Sequence, residues 1–314
     1  MSAYRAFGDE AKRQALIADV RAKGPIYTAW LTRETAWLPE AVEGDMSSIS
    51  DDYGLHPAFA RLLPPLGAFG ESDGALAFYE ALFAAIPAGA DTSGLARHTL
   101  LQAWTHPTYG RSKAVTQSEV GAACEEIVAL VLRSIEEPVE KKTWRAARSK
   151  LASIREKEEG NGKLIDMMLS LAWDLDKAPG AAHDVMVAWS AMIDADAEAS
   201  DEDCFSEEES QTFAALIDRF NEEAMQALMD GEGDEELDYE DFLAEVDKHW
   251  EADPVARSLR ERSLARRART AAKVAQWRGA VQAYLVEHAK ALPVEPKLPR
   301  AATKSEEPSE QMQV

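Results

Sequence analysis

The sequence contains few cysteines: Cys124 and Cys204 are the only two among its 314 residues. This excludes a disulfide framework and a cysteine-rich zinc site. No uninterrupted apolar run approaches the roughly 20 residues that a membrane-spanning helix needs, and the first residues include no apolar signal segment. We therefore expect a cytoplasmic protein without a membrane span.

Basic residues are also scarce, with 34 Lys and Arg against 56 Asp and Glu and a formal net charge of −22. Phosphate contacts need Lys and Arg, so this charge disfavours nucleic-acid binding by the surface as a whole. An acidic surface suits a basic protein partner, divalent cations or solubility alone. The composition leaves all three open.

Signature motifs of common enzymes are missing: there is no nucleophile elbow, phosphate-binding loop, His-Glu-x-x-His pair or dinucleotide fingerprint. This favours a non-enzymatic protein, with no catalytic or cofactor-binding residues to name. One alternative is a metal-dependent hydrolase, since imidazole and carboxylate groups both bind divalent metals. Its candidate ligands are three short motifs, His183-Asp184, Asp174-Leu-Asp176 and Asp194-Ala-Asp196.

Apolar residues recur at helical spacing along most of the chain, and 46% of the residues are hydrophobic, enough for a substantial core. One predicted helix has a buried stripe of Cys124, Ile127, Val128, Val131, Leu132 and Ile135. We predict an all-α protein with two helical domains, a long C-terminal basic helix and a disordered tail. The expected segments are an N-terminal domain (1–139), a charged helix or linker (140–163), an acidic domain ending in the basic helix (164–290) and the tail (291–314).

Two helices have clear start signals. Thr116 with Glu119 fits a capping box, in which the first residue and the acid three positions later satisfy each other's backbone N–H groups. Asp253 followed by Pro254 offers an N-cap and a first-turn proline for the last helix.

The region 194–251 concentrates 23 acidic residues against Arg219 and Lys248. An apolar stripe that includes Phe213, Leu216 and Phe220 continues through it at helical spacing. We therefore predict folded helices here and not an acidic tail.

Part of this region has the ligand spacing of a calcium loop. Oxygen ligands at loop positions 1, 3, 5, 7, 9 and 12 would come from Asp230, Glu232, Asp234, the Glu236 carbonyl, Asp238 and Asp241. With Leu237 at position 8, the range 230–246 resembles an EF-hand, which implies bound Ca2+ or Mg2+. Glu235 replaces the usual glycine and Asp241 the usual longer Glu, so we expect weak or magnesium-preferring binding.

A second acidic turn precedes this loop. With Phe205 at position 8, 198–209 fits a poorer loop with Ser200 and Glu202 as ligands. The range 190–217, in which Asp194-Ala-Asp196 is followed by Ser206 and three glutamates, resembles the acidic turn of tellurite-resistance TerB-like domains, and this too implies a divalent metal. The alternative needs no metal, because acidic residues favour helix N-termini on electrostatic grounds alone.

The range 50–105 has a different resemblance. The sequence Tyr-Gly-Leu-His-Pro-Ala-Phe begins at residue 53, and Ile86-Pro-Ala-Gly-Ala-Asp91 follows a predicted helix. These motifs resemble a family of uncharacterised bacterial proteins. The resemblance implies a bacterial origin and no particular activity.

The last predicted helix reverses the charge. Its basic stripe repeats at i, i+4, i+7 and i+11 and consists of Arg262, Arg266, Arg269 and Lys273. Three interpretations are open: docking on the acidic segment of the same chain, contact with nucleic acid or an anionic surface, and self-association.

The leading hypothesis is a non-enzymatic cytoplasmic regulatory or adaptor protein with a weak divalent-cation site and a protein partner. A second is an acidic protein that occupies the basic surface of a partner and competes there with nucleic acid. The hydrolase is the third. The oligomeric state is not predicted.

Overall fold

The computed structural model describes residues 4–23, 28–29, 34–35, 47–67, 72–115, 118–158, 160–229 and 239–294. Within them the protein is all-α, as predicted. The helices are α1 (Glu10–Lys23), α2 (Ser47–Tyr53), α3 (Pro57–Ala60), α4 (Leu63–Gly67), α5 (Ser72–Ala85), α6 (Leu95–Thr105), α7 (Glu119–Glu136), α8 (Lys141–Arg155), α9 (Gly162–Leu171), α10 (Gly180–Ala199), α11 (Glu207–Met229), α12 (Tyr239–Ala252) and α13 (Pro254–Lys290). The two-residue strands β1 (Thr28–Ala29) and β2 (Glu34–Thr35) pair antiparallel.

One large cluster of buried apolar side chains extends from α1 to α10 and includes the C-terminal half of α13. Trp104 and Trp189 are its largest fully buried members. In α7 the predicted stripe is confirmed at Cys124, Ile127, Val128 and Val131, all of which are buried. Leu132 departs from the prediction, because it lies at the edge of that stripe and is 50% exposed. None of the helices in the described ranges combines the length and apolar content needed to cross a bilayer.

The N-terminus of α7 is capped by a different residue from the one predicted. Ser118 accepts a hydrogen bond from the Gly121 N–H through its hydroxyl oxygen at 3.0 Å, and the helix begins at Glu119. Ser118 and Gly121 have the N-cap to N3 spacing that the prediction gave to Thr116 and Glu119. Thr116 itself lies outside the described residues.

Part of the segment predicted as a charged helix or linker (140–163) contributes to the main core. Its helix α8 buries four side chains, Trp144, Ala147, Leu151 and Ile154, and packs on α7 and α9. The main cluster thus includes residues from both 1–139 and 164–290. The division into two domains stays a prediction.

The longest helix, α13, has 37 residues and extends about 55 Å. Its start is confirmed, because the Asp253 carboxylate accepts hydrogen bonds from Val255 N and Ala256 N at 2.9 and 3.1 Å. Its C-terminal half lies in the main cluster, and its N-terminal half joins a second, smaller one. The buried residues of that small cluster are Leu216, Phe220, Trp250, Ala256 and Leu259.

The predicted tail begins with ordered contacts. Leu292 packs against the main cluster, and Val294 pairs with Ala90 as an antiparallel bridge. The rest of the predicted tail, 295–314, lies outside the described residues.

A polar network with two buried members, His56 and Arg97, connects three parts of the main core. His56 caps α3: its Nδ1 accepts from Ala58 N, so the ring proton is on Nε2 and is donated to Asp176 Oδ1 at 3.0 Å. Arg97 in α6 donates to the same oxygen at 2.7 Å and to the Ser134 hydroxyl at 3.0 Å. The hydrogen bonds from His56 and Arg97 hold the pKa of Asp176 well below its usual value.

We predict that Asp176→Ala destabilises the protein, because it leaves the Arg97 guanidinium, 4% exposed, without its nearest carboxylate. Removing one partner of a fully buried ion pair costs about 3–5 kcal/mol. The Asp176 side chain is 54% exposed, so we expect a smaller loss of about 2–3 kcal/mol. Urea denaturation measures it, with the exposed Asp184→Ala as control. Equal effects of the two substitutions would show that the network contributes nothing specific.

Candidate functional site

The turn between α10 and α11 brings several carboxylates together because two local motifs fix its backbone. Ser206 and Glu209 form a capping box: Glu209 N donates to the Ser206 hydroxyl at 3.1 Å, and Ser206 N donates to the Glu209 carboxylate at 2.9 Å. Asp203 N also donates to Asp201 Oδ1 at 3.0 Å. The Ser-x-x-Glu spacing of this capping box is visible in the sequence and is the local signal for the start of α11. We call 200–209 the acidic turn.

The basic stripe of α13 lies directly on the acidic turn. Arg269 binds Asp201 with two parallel hydrogen bonds of 2.9 and 2.8 Å. Arg262 donates to Asp203 at 2.9 Å and to Glu209 at 2.5 Å. The guanidinium of Arg262 also lies 4.9 Å from the centre of the Phe205 ring. Two basic side chains therefore hold three carboxylates.

The other two members of the stripe contact the same segment. Lys273 donates to the Ser200 hydroxyl, and Arg266 donates to the Glu198 carbonyl oxygen at 3.4 Å. All four basic residues thus form hydrogen bonds within the chain. This geometry corresponds to the first of the three interpretations of the stripe, docking on the acidic segment.

The pKa shifts follow from these contacts. The hydrogen bond from Arg269 lowers the pKa of Asp201 to about 2, and the hydrogen bond from Arg262 lowers the pKa of Glu209. The Asp201 side chain is only 6% exposed, so Arg269 covers as well as neutralises it. Both carboxylates therefore stay ionised at neutral pH.

These contacts argue against a cation at the acidic turn. Of the ligands predicted there, Ser200 faces Lys273 and Glu202 is exposed. Guanidinium groups occupy the carboxylates of Asp201, Asp203 and Glu209. No group of three or more His, Cys, Asp or Glu side chains suited to a metal occurs among the described residues.

The calcium-like loop lies mostly outside the described residues. Of its six predicted ligands, Asp230, Glu232, Asp234, Glu236 and Asp238 fall in the undescribed range 230–238. Asp241 is exposed in the first turn of α12. Cation binding at 230–241 stays a prediction from the sequence.

We predict that calorimetry detects weak binding of Ca2+ or Mg2+ at millimolar concentration, because the loop departs from the EF-hand pattern at two positions. Asp230→Ala combined with Asp234→Ala should abolish the binding heat. The control, Glu207→Ala combined with Glu208→Ala, removes the same charge from α11 outside the loop. Heat that survives the loop substitutions, or an absence of heat in the unmodified protein, would end the cation hypothesis.

The three motifs considered for a hydrolase do not form a common site in the structure. Asp174 and Asp176 face Arg97, and His183 is half-exposed beside Asp184. Asp194 pairs with Arg278 at 2.7 Å, and Asp196 pairs with Arg111. Arginines therefore contact four of the five carboxylates that the hydrolase hypothesis assigned to a metal, and the fifth, Asp184, lies beside His183.

Comparisons with protein-family models, curated proteins and solved structures return no match. The function therefore has to be argued from the arrangement of side chains. The resemblances of 230–246, 190–217 and 50–105 to known families stay predictions.

We predict that Arg269→Glu releases the acidic turn from α13, because it replaces a two-bond ion pair by repulsion from Asp201 and Asp203. Hydrogen exchange of backbone amides in α11 and α12 should accelerate, whereas exchange in α7 should not change. Arg267→Glu is the matched control, since Arg267 lies on the same helix, is exposed and has no ion pair among the described residues. Equal exchange rates in the two variants would mean that the stripe does not hold the helices.

Proposed function

We propose that the protein is a non-enzymatic cytoplasmic adaptor that binds the basic surface of a partner protein through α11 and α12. The observation that carries this proposal is the unequal neutralisation of the acidic region. The arginines of α13 neutralise the side that faces them, and the outward carboxylates keep their charge.

Ion pairs connect this region to α13, and others form within and between α11 and α12, at Glu223 and Glu245. Arg260 pairs with Asp247, and Arg257 pairs with Glu251 at 3.1 Å, both at the α12–α13 contact. Five acids of α11 and α12 are exposed and form no ion pair with any described residue: Glu207, Glu208, Asp218, Glu222 and Asp241. Such a surface attracts a basic partner at long range and makes the complex sensitive to salt.

A protein partner fits the geometry better than nucleic acid. The four residues of the basic stripe, which alone suited phosphate contact in the sequence, are held by 198–209. A basic partner whose surface otherwise binds nucleic acid is one specific version of the proposal, with the acidic helices as competitor. The free thiols of Cys124 and Cys204 support a reducing compartment.

A cation at 230–241 would make the adaptor regulated. A bound divalent ion lowers the negative charge of the helix pair, so partner binding should weaken when the ion is added. Partner binding that is the same in chelator and in millimolar Ca2+ or Mg2+ would support the version without a cation.

We predict that a polylysine peptide of about 20 residues binds the protein at low salt and dissociates as salt rises. Neutralising three outward acids, Asp218→Asn, Glu222→Gln and Asp241→Asn, should weaken binding about tenfold, because the local positive charge of the probe loses its nearest partners. The measurement is fluorescence anisotropy with a labelled peptide.

The control variant carries Glu136→Gln, Glu156→Gln and Asp184→Asn, which remove the same charge elsewhere. It should change the affinity by less than about twofold. Equal weakening by both variants would mean that net charge alone attracts the peptide. Absence of binding at every salt concentration would overturn the proposed function.

A further inference from the structure

The α11–α12 pair carries a second feature besides charge: a groove whose lining combines apolar side chains with polar and acidic ones. It has a volume of about 670 Å3, is open to solvent, and is lined by residues that include Glu222, Met225, Met229 and Phe242. In α11, Glu222, Met225 and Met229 follow the spacing i, i+3 and i+7, so they occupy one side of the helix over two turns. The groove therefore runs along α11 with α12 as its other wall.

Apolar exposure is concentrated on this helix pair. Ten large apolar side chains are exposed among the described residues, and five of them belong to α11 and α12. These five are Ile217 (36% exposed), Met225 (42%), Met229 (67%), Tyr239 (70%) and Leu243 (44%). Single exposed apolar residues are ordinary on protein surfaces, but a local group beside a groove is typical of an interaction site.

These residues do not stabilise the small core. The inner stripe of α11, with Leu216, Phe220 and Ala224, is buried, and it packs against Trp250 and α13. Met225 follows Ala224 and lies about 100° around the helix from it, away from this core. Of the two apolar surfaces of α11, the inner one is covered within the described residues and the one with Met225 is not.

We infer that this groove binds an amphipathic helix of a partner protein that presents apolar side chains flanked by Lys and Arg. The inference rests on the proposed function and specifies its partner. Glu222 lines the groove and forms no ion pair with any described residue, whereas Glu223 beside it pairs with Arg219 and His249. The lining residues include no Lys or Arg, so a basic segment is complementary in charge to Glu222. Unbranched, flexible methionines adapt to apolar side chains of different shapes.

A helix fits this groove better than an extended segment. The backbone groups of α11 and α12 are largely bonded within their own helices, so they offer no edge for a strand to pair with. An extended segment would place part of its own N–H and C=O groups against Met225, Met229 and Phe242 without partners, which is costly. A helical segment satisfies those groups internally and presents only side chains.

Two occupants from the chain itself fit less well. A second copy would bring another net charge of −22 against this acidic region. The undescribed range 295–314 follows Val294, near the C-terminus of α13. About 45 Å of the α13 axis separates that end of the helix from Leu259, in the small cluster. The range would therefore have to extend back along most of α13 to reach the groove. A separate basic partner is free of both constraints.

The test uses the full chain and two Leu–Lys peptides of about 18 residues with identical composition. In one peptide the leucines form a single helical face, and in the other they are dispersed. We expect the amphipathic peptide to bind at least about tenfold more tightly at physiological salt, because only it fills the groove with apolar side chains. With methyl-labelled methionine, NMR signals of Met225 and Met229 should shift, and that of the buried Met168 should not.

Substitutions locate the binding. Met225→Gln combined with Met229→Gln should remove the preference for the amphipathic peptide while leaving weak, salt-sensitive binding of both peptides. Leu132→Gln is the matched control, an exposed leucine on α7, and should leave the preference intact. Circular dichroism checks that each variant keeps its helix content.

Each remaining outcome decides a separate point. Equal binding of the two peptides without selective methionine shifts would overturn the groove and leave the proposed acidic surface standing. Absence of binding by either peptide would overturn both. Methionine shifts caused by Leu298→Gln in the free protein would identify the C-terminal segment as occupant. Shifts that depend on protein concentration would identify a second copy. Either result would refute the inference of a separate partner.

Discussion

The acidic helices α11 and α12 depend on the ion pairs along one side of α13. Their small apolar cluster contains five buried residues, two of which, Ala256 and Leu259, come from α13 itself. The carboxylates of 194–251 repel one another at neutral pH. The burial of only five apolar side chains stabilises the helix pair too little to offset this repulsion. Arg262 and Arg269 offset this repulsion at the acidic turn, where they pair with Asp201, Asp203 and Glu209. The C-terminal half of α13 is buried in the main core, so the same helix anchors the acidic pair to the rest of the protein.

This arrangement explains why a strongly acidic segment folds without a described metal site. A cation and a guanidinium group satisfy carboxylates in similar ways, but an arginine in the same chain has a fixed position and needs no supply of ions. Arg269 engages Asp201 with two bonds, a geometry that a flexible Lys would not reproduce. The acidic turn therefore behaves as a docking element, and the charge left for other interactions lies on the outward faces of α11 and α12.

The sequence predicted elements whose causes are local. Asp253-Pro254 marked the start of α13, and the apolar spacing in α7 identified most of its buried face, because capping and helical period depend on near neighbours. The sequence did not predict the burial of α8. Its many basic residues indicate an exposed helix, although four apolar positions are spaced three or four residues apart. Contacts between distant residues, such as Asp176 with His56 and Arg97, or Arg269 with Asp201, have no local signal. The stripe was visible in the sequence, but which of three surfaces it meets depends on how α13 packs.

The charged and the apolar side chains exposed on the α11–α12 pair would affect partner binding in different ways. The outward carboxylates act over about 8 Å at physiological salt and raise the rate of encounter with any basic surface, but they distinguish poorly between such surfaces. In the proposed complex, Met225, Met229 and Phe242 would act only at contact, where burial of apolar area slows dissociation of a partner with a matching apolar face. A surface with carboxylates alone would bind basic partners with little selectivity. With the groove, the same helices could prefer basic segments that also have a matching apolar face. The position of these helices is set by α13.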